Sequence, residues 1–363
     1  MNFNFYLLKS FRILLFPFSL LYGLIVIIRN YLFDKNILKS YAFNLPVINV
    51  GNLSVGGTGK SPMVEYLIKL LKEKYDVATL SRGYKRKTKG YALANTNTTA
   101  LEIGDEPMQF HVKFPQVTVS VGEERIVAIP QLLHDRPETD VIILDDAFQH
   151  RSIKPSFNIV LTDYNNLFTR DFFLPTGDLR DQRSSYKRAE IIVVTKCPPG
   201  INEGEKQKLI TEIEPTSSQQ IYFTCIEYGT PYHIINHNLK FITTQQELLL
   251  VCGIANPEPL KNYLMQQVKS YIQLSYTDHH IFTIDDLNQI KKKFDETEGR
   301  DKMIITTEKD AMRLIKFKDE LLEIPIYVLP VKHRFLFDEG TLFDAHIMGI
   351  VENFINKKNE QEA

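Results

Sequence analysis

The chain has 363 residues, 44% of them hydrophobic, and a formal net charge of -1. It is long enough for two domains and a substantial core, and its charge balance gives no general reason to expect nucleic acid as a partner. The three cysteines, Cys197, Cys225 and Cys252, are widely spaced. This spacing excludes a disulfide framework and fits a reducing compartment.

An apolar segment without charges runs from Ile13 to Ile28, between Arg12 and Arg29. As a helix it would be about 24 Å long, which is short of the roughly 30 Å hydrocarbon core of a bilayer. We therefore expect residues 1–35 to form a membrane-associated helix in the interface, with a true span or a buried core helix as alternatives. A cleaved signal peptide is a further alternative, although no small-x-small cleavage site follows the segment.

The stretch from Val47 to Pro62 predicts a phosphate-binding turn, because an apolar strand leads into a glycine-rich turn followed by a lysine and a hydroxyl. The glycines let backbone N–H groups face one anion, the lysine adds a positive charge, and the serine offers an oxygen to Mg²⁺. The strict pattern has glycine where this chain has Ser54, and an ordinary strand-to-helix turn is the alternative. The residues expected to bind ATP are Ser54, Val55, Gly56, Gly57, Thr58, Gly59, Lys60 and Ser61.

A second strand is predicted at residues 77–80, and a basic loop from Ser81 to Lys89 follows its carboxyl end. Ligands of parallel sheets bind at that end of the strands. Arg82, directly after the strand, is therefore a candidate for contact with a phosphorylated substrate. The lysines further along the loop fit a solvated surface equally well.

The segment Gly104–Pro107 places Asp105 and Glu106 before a helical pattern. Asp105 has two interpretations. It can cap the helix, or it can serve as a general base, since a carboxylate at a helix amino end stays ionised.

A buried-type strand at residues 141–144 ends in Asp145 and Asp146. Acidic residues at this point of a phosphate-binding fold hold Mg²⁺ beside the hydroxyl of the turn. Ser61, Asp145 and Asp146 are therefore the expected metal ligands. Gln149 follows closely and would line the same opening.

Further strands alternate with helices, which predicts an α/β fold with a mainly parallel sheet and a nucleotide-dependent enzyme or switch. The stretch from about Gln219 is extended and aromatic and is interpreted as a connector, and a second set of strands and helices opens at Leu248. Pro198 stands where guanine-specific switches read the base with a carboxylate, which argues against a GTP switch.

The sequence resembles the tetraacyldisaccharide 4'-kinase family, the lipid A kinases of Gram-negative bacteria. The resemblance covers most of the chain and rests on motifs in the family's order: VGNLSVGGTGKSP (50–62), SRGY (81–84), GDEP (104–107), LDDAFQH (144–150), LPTGDLRD (174–181), VVTKCP (193–198), DHH (278–280) and TTEKD (306–310).

The resemblance implies a P-loop NTPase-like, mainly parallel sheet sandwiched by helices, with a smaller α/β domain joined by a two-stranded connector. The expected division is a kinase domain at 36–218, a connector at 219–245, a second domain at 246–325, and a return strand with a C-terminal helix or tail at 326–363. It implies ATP- and Mg²⁺-dependent phosphorylation of the 4'-hydroxyl of a tetraacyldisaccharide 1-phosphate, by a monomer on the cytoplasmic face of the inner membrane.

Carried over position by position, the resemblance makes Asp105 the base for the sugar hydroxyl and His279 its partner, with His280 as the adjacent alternative. Arg82, Gln149 and Arg180 are expected to contact the substrate. Two other classes of function stay open at this point. One is a P-loop nucleotide switch or metallochaperone-type NTPase without a lipid acceptor, and the other is a membrane-attached binding protein with a vestigial phosphate site.

Overall fold

The computed structural model describes residues 11–297 and 301–362. Within them the chain forms two β-sheets flanked by helices. The strands are β1 (Val47–Asn52), β2 (Val77–Ser81), β3 (Ala92–Leu93), β4 (Thr118–Val121), β5 (Val141–Asp145), β6 (Phe157–Asp163), β7 (Ile191–Thr195), β8 (Gln220–Tyr228), β9 (Tyr232–His233), β10 (Glu247–Cys252), β11 (Ser270–Ser275), β12 (Lys302–Thr307), β13 (Ile326–Leu329) and β14 (Val331–Phe335).

The helices lie between these strands and at both ends of the described chain. They are α1 (Phe16–Asp34), α2 (Lys60–Leu71), α3 (Ala100–Ile103), α4 (Asp105–Lys113), α5 (Arg125–Asp135), α6 (Glu203–Ile213), α7 (Glu258–Gln267), α8 (Ile284–Glu296), α9 (Glu308–Leu314), α10 (Lys318–Leu321) and α11 (Gly340–Glu362). Short 3₁₀ turns occur at Ile13–Leu15, Phe168–Arg170, Arg183–Arg188 and Ile315–Phe317.

The larger sheet has nine strands in the order β14-β8-β7-β6-β1-β5-β2-β4-β3. Its pairings are parallel except at the two edges, where β14 and β3 run antiparallel to their neighbours. Strand β1 lies between β5 and β6, and all six of its residues are buried because helices cover both faces of the sheet. The mainly parallel α/β sheet predicted from the sequence is confirmed.

The smaller sheet has five strands in the order β11-β10-β12-β13-β9, of which only the β13–β9 pairing is antiparallel in the described residues. Two strands join the sheets. Strand β8 leaves the larger sheet toward β9, and after Pro330 strand β14 returns to pair with β8, from Val331 opposite Tyr228 to Phe335 opposite Thr224. The two-stranded connector expected from the resemblance is therefore present.

Helix α1 has an unusual distribution of side chains. Its buried face carries Ser19, Gly23, Val26 and Asn30, which are mostly small or polar. Its large apolar side chains point away from the protein, and this exposure contradicts the alternative of a buried core helix. The exposed set includes Phe18, Leu20, Leu21, Leu24, Ile25, Ile27, Ile28 and Tyr31. The helical segment Ile13–Asp34 has 22 residues and so extends beyond the charge-free stretch Ile13–Ile28; by length and composition alone, it is the one segment of the described chain that could cross a membrane.

Polar contacts hold α1 against the loop that precedes the Arg183–Arg188 turn. Ser19 Oγ donates to Thr176 Oγ1 over 2.7 Å, and Asn30 Nδ2 donates to the buried Asp181 Oδ1 over 2.7 Å. Tyr22 Oη donates to the carbonyl of Arg180 over 3.0 Å. The apolar helix is thus attached to the same loop that contributes Arg180 to the site.

Candidate active site

The glycine-rich turn lies between the end of β1 and the start of α2. Gly56 and Gly59 have φ values of +108° and +86°, which side chains with a Cβ rarely adopt, and Gly59 directly precedes the helix. A Cβ added at Gly56 or Gly57 would meet no described atom within 4 Å. The space in front of the turn is therefore open, and the amino end of α2, where a phosphate would be stabilised, borders it.

The amino-terminal part of the turn is tied to the protein. Ser54 is buried and forms an isolated bridge with Leu179. The backbone N–H of Val55 donates to the carbonyl of Asp178 over 2.7 Å, so this amide already has a protein partner. Thr58 is buried, and its Oγ1 accepts a hydrogen bond of 3.0 Å from Asn52 Nδ2. The backbone amides of the turn that could bind a phosphate are therefore those at and near its glycines.

His333 of the connector supports the turn from the other side. Its Nε2 lies 2.8 Å from the carbonyl oxygen of Gly59, and its Nδ1 lies 2.9 Å from Thr224 Oγ1. Because a carbonyl can only accept, Nε2 carries the proton and Nδ1 accepts from the hydroxyl. Burial lowers the pKa of His333 to about 4, despite the bond to Gly59, so the ring is neutral at pH 7.

The two predicted carboxylates lie beside the turn. Asp145 ends β5 opposite Val50 of β1, and Asp146 follows with a positive φ of 53°. Lys60 Nζ is 3.6 Å from Asp146 Oδ1, and Arg180 donates two hydrogen bonds of 2.6 and 3.0 Å to the same carboxylate. Burial alone would raise the pKa of Asp146, but Lys60 and then Arg180 outweigh it and hold the pKa below its usual range.

Asp145 has the opposite electrostatic balance. Burial raises its pKa to about 6, and the charge of Asp146 adds to this effect. Lys60 acts to lower this pKa, and Glu106, next to the candidate base Asp105, acts to raise it. Ser81 Oγ lies 3.3 Å from Asp145 Oδ2.

The donor set fits Mg²⁺. The described residues contain no cluster of three or more His, Cys, Asp or Glu side chains of the kind that forms a complete metal site. Mg²⁺ in nucleotide enzymes is held by one or two carboxylates together with waters and phosphate oxygens, so a complete protein cage is not required. Asp145 and Asp146 supply such carboxylates, and Ser61 supplies a hydroxyl on the first turn of α2.

The three predicted substrate residues differ in their surroundings. Arg82 is exposed, and its charge contributes, after burial and Arg125, to lowering the pKa of His150 to about 4. Gln149 Nε2 donates to the carbonyl of Asn52 over 2.8 Å. Arg180, besides binding Asp146, donates to Asn52 Oδ1. Arg180 and Gln149 thus both contact the end of β1, whereas Arg82 faces solvent.

The structure brings Asp105 and His279 together across the two sheets. Asp105 is the first residue of α4, and its Oδ2 lies 2.8 Å from His279 Nδ1. His280 instead places its Nε2 3.0 Å from Asp286 Oδ2, near the capped start of α8. The backbone of His279 has a positive φ of 63°, and the two neighbouring imidazoles contact different carboxylates.

A third residue, Arg313 of α9, binds Asp105. Its Nε donates to Oδ1 over 2.9 Å and its Nη2 donates to Oδ2. Burial alone would raise the pKa of Asp105, but the hydrogen bonds and charge of Arg313, followed by those of His279, lower it. The carboxylate of Asp105 is therefore ionised at neutral pH, and it binds groups from the smaller sheet's side of the molecule instead of capping its own helix.

Sequence reasoning missed three polar residues of this region: Arg313, His333 and Asn52. Arg313 lies three residues after the TTEKD motif, so extending that motif by one helical turn would have found it. Asn52 is a polar residue at the carboxyl end of a buried strand, the position where ligands of parallel sheets are bound. No comparable signal marks His333.

Comparison with known proteins places the chain in one family. Residues 11–350 match the family model described as tetraacyldisaccharide-1-P 4'-kinase, LpxK. A tetraacyldisaccharide 4'-kinase of Flavobacterium johnsoniae is 48% identical over 342 residues, which cover 94% of this chain and 97% of the relative. One of Bacteroides thetaiotaomicron is 44% identical over 351 residues, which cover 93% and 92%.

A solved structure agrees with these sequence relatives. The crystal structure of the "apo" form of LpxK from Aquifex aeolicus in complex with ATP has a TM-score of 0.73 and 29% sequence identity, and the match covers 94% of this chain and 99% of that one. The family model and the relatives each cover far more than half of the chain. The chain therefore belongs to the tetraacyldisaccharide 4'-kinase family.

Proposed function

We propose that this kinase transfers the γ-phosphoryl group of ATP to the 4'-hydroxyl of a tetraacyldisaccharide 1-phosphate, the acceptor for which its family is named. The observation that carries the proposal is the arrangement at the turn, where Lys60 Nζ lies 3.6 Å from Asp146 Oδ1 at the amino end of α2. A phosphate site flanked by a cation and two carboxylates is the recurring arrangement of phosphoryl-transfer enzymes.

At the phosphate end, the turn from Ser54 to Ser61 would hold ATP. The open space at Gly56 and Gly57 admits the phosphates, and Lys60 would pair with their outer oxygens. Ser61, Asp145 and Asp146 would hold Mg²⁺, which when bound neutralises charge on the phosphate oxygens. Positioning and charge neutralisation of this kind supply most of the rate enhancement in phosphoryl transfer.

At the acceptor end, Asp105 would take the proton of the sugar hydroxyl. A base must be ionised, and the lowered pKa of Asp105 meets that condition. His279, 2.8 Å away, would orient the carboxylate and stabilise its charge. A positioned base contributes roughly 10²- to 10⁴-fold in rate.

The acceptor needs further contacts. Arg82 is exposed at the end of β2 and would meet a phosphorylated group of the substrate. Gln149 and Arg180 lie at the end of β1 and would contact the transferred or accepting groups. In this assignment residues 36–218 act as the kinase domain, and residues 246–325 supply His279.

Helix α1 provides the membrane contact. Its exposed apolar side chains fit the acyl region of a bilayer, and its polar stripe faces the protein. We propose that α1 anchors a monomer to the cytoplasmic leaflet of the inner membrane, where both ATP and the lipid acceptor are available.

The test uses the purified chain in detergent with ATP labelled at the γ-phosphate and a tetraacyldisaccharide 1-phosphate. We expect label in the lipid after chromatography, and none when the acceptor's 4'-hydroxyl is blocked. Release of labelled phosphate without labelled lipid would instead support a nucleotide switch. Asp105→Ala should lower turnover within the range of 10²- to 10⁴-fold while ATP still binds. A fully active variant would remove Asp105 from the mechanism.

A further inference from the structure

Arg313 lies on helix α9, which follows β12 of the smaller sheet, and its side chain is directed at the carboxylate of Asp105 on α4. The two residues are 208 positions apart in the chain. Arg313 has a side chain only 7% exposed, and that of Asp105 is 11% exposed. A planar guanidinium that donates two hydrogen bonds to one carboxylate fixes the plane of that carboxylate as well as its charge.

The pattern of bonds distinguishes the two oxygens of Asp105. Oδ2 accepts from Arg313 Nη2 and also contacts His279 Nδ1. Oδ1 accepts only from Arg313 Nε among the described residues, over 2.9 Å. A carboxylate oxygen has two lone pairs, so Oδ1 retains one that is not engaged.

We propose that Arg313 is a second positioning residue for the candidate base, beside His279, holding Asp105 ionised and turning Oδ1 toward the acceptor hydroxyl. This inference rests on the proposed role of Asp105. In the step, the hydroxyl O–H bond breaks and its proton passes to Asp105 Oδ1. The freed electron pair forms the new oxygen–phosphorus bond, and the bond between the γ-phosphorus and the bridging oxygen breaks, leaving ADP.

Arg313 itself is held by its own helix. Asp310, one turn earlier on α9, is fully buried, and its Oδ1 lies 3.6 Å from Arg313 Nη1. Thr307 caps the start of α9 and donates its hydroxyl to Asp310 Oδ2 over 2.7 Å, and the same oxygen accepts from the backbone N–H of Gly253 over 2.9 Å. The guanidinium therefore has a carboxylate on each side, although its contact with Asp310 is an ion pair without a hydrogen bond.

Other charged groups also surround Asp105, and each contributes to its electrostatic environment. Lys309, next on α9, forms a 2.5 Å ion pair with Glu106 of α4. Asp278 lies 3.7 Å from His279 Nε2. The groups that face Asp105 from the packed elements are His279 and Asp278 after β11, Lys309, Asp310 and Arg313 on α9, and Glu106 on α4.

The test compares Arg313→Met with Lys309→Met, because both variants remove one cation from the contact between α4 and α9. The pH dependence of kcat/KM reports the ionisation of the base in the free enzyme. In R313M we expect the acidic limb to move to higher pH by about one unit or more, because Asp105 loses a neighbouring opposite charge. We also expect kcat to be about 10- to 100-fold lower. In K309M the limb should move much less than in R313M, because Lys309 pairs with Glu106 and makes no hydrogen bond to Asp105 among the described residues.

Arg313→Lys keeps the charge and should bring the acidic limb back toward its wild-type position, with part of the lost kcat restored. The inference would be overturned if the acidic limb of R313M stayed at its wild-type pH, or if the acidic limbs of R313M and R313K lay at the same pH. Equilibrium binding of ATP checks that each variant is folded. If R313M does not fold, Arg313→Gln replaces it, since glutamine can donate a hydrogen bond without the charge.

Asp105→Asn separates this inference from the proposed function. A fully active D105N would show that Asp105 is not the base, and the proposed role of Asp105 would fail. An inactive D105N together with an unmoved limb in R313M would leave Asp105 as the base and remove Arg313 from its control.

Discussion

Lys113 lies between two buried carboxylates, and replacing it with methionine tests how the two sheets are held together. Its ammonium is 2.5 Å from Glu65 on α2 and also forms an ion pair with Glu308 on α9. The side chains of Lys113, Glu65 and Glu308 are only 14%, 2% and 6% exposed. Burial raises the pKa of Glu308 to about 7, the charge of Glu65 raises it further, and Lys113 opposes both effects.

The expected loss of unfolding free energy in Lys113→Met follows from the burial of the three side chains. Removing one partner of a buried ion pair costs about 3–5 kcal/mol of unfolding free energy, because an uncompensated charge remains inside. Lys113→Met leaves two such carboxylates side by side. Since the pKa of Glu308 in the folded protein lies above its unfolded value, and rises further without Lys113, acid neutralises this repulsion. The deficit of the variant should therefore be largest near pH 8 and should shrink toward pH 5.5.

The assay is urea unfolding in detergent, followed by circular dichroism at pH 8 and pH 5.5. The matched control is Lys74→Met, which breaks an ion pair of the same 2.5 Å length with Glu352, on the surface of the protein. Solvent screens such a pair, so this variant should unfold almost as the wild type does at both pH values. Adding Glu308→Gln to K113M should recover much of the lost stability. Equal losses in K113M and K74M would refute the reasoning.

Three further predictions concern other parts of the molecule. On acidification from pH 6.5 to pH 4, the melting temperature of the wild type should change less favourably than that of His333→Gln in a thermal scan, because His333 is held neutral in the folded chain and gains a proton on unfolding. Arg180→Met should lower kcat about 10²- to 10³-fold in the labelled-ATP assay, since Asp146 loses its two bonds, and an unchanged kcat would contradict this role. Leu21→Glu should reduce co-sedimentation with anionic phospholipid vesicles, whereas Lys74→Met should not.

The larger sheet and the phosphate end of the site could be predicted because their signals are local in the sequence. Strand β5 runs from Val141 to Asp145, over the residues predicted for it, and Asp145 ends it beside the turn. Parallel strands place their carboxyl ends at one edge, so a polar residue after each strand is enough to locate that edge. The same rule does not say which protein groups these side chains bind. Arg180 reaches Asp146 from a loop 34 residues later, and no periodicity predicts such a contact.

The acceptor end of the site could be predicted only in part. The motifs suggested Asp105 and His279, with His280 as the adjacent alternative, but only the structure shows that His279 contacts Asp105 while His280 contacts Asp286. Arg313 was missed because its partner Asp105 lies on α4, 208 positions away in the chain, and an arginine on a short helix is ordinarily a surface residue. For helix α1 the absence of charge was evident, whereas the function of Asn30, which binds the buried Asp181, required the structure.

Helices α4 and α9 form the joint between the two sheets. Along α4, residues 105, 106 and 113 pair with residues 313, 309 and 308 of α9, so the two helices run in opposite directions along a row of three ion pairs. One end of this row contains the candidate base, and the other end contains the buried cluster around Lys113.

The two ends of this joint should therefore respond differently to substitution. Loss of Lys113 removes charge compensation from a closed interior and should act on stability. Loss of Arg313 changes a carboxylate that is 11% exposed at the candidate site and should act on the pH profile of catalysis. A K113M variant that kept wild-type stability but shifted the acidic limb of kcat/KM would reverse this division. The joint would then act as one electrostatic unit, and its two ends would have no separate roles in stability and catalysis.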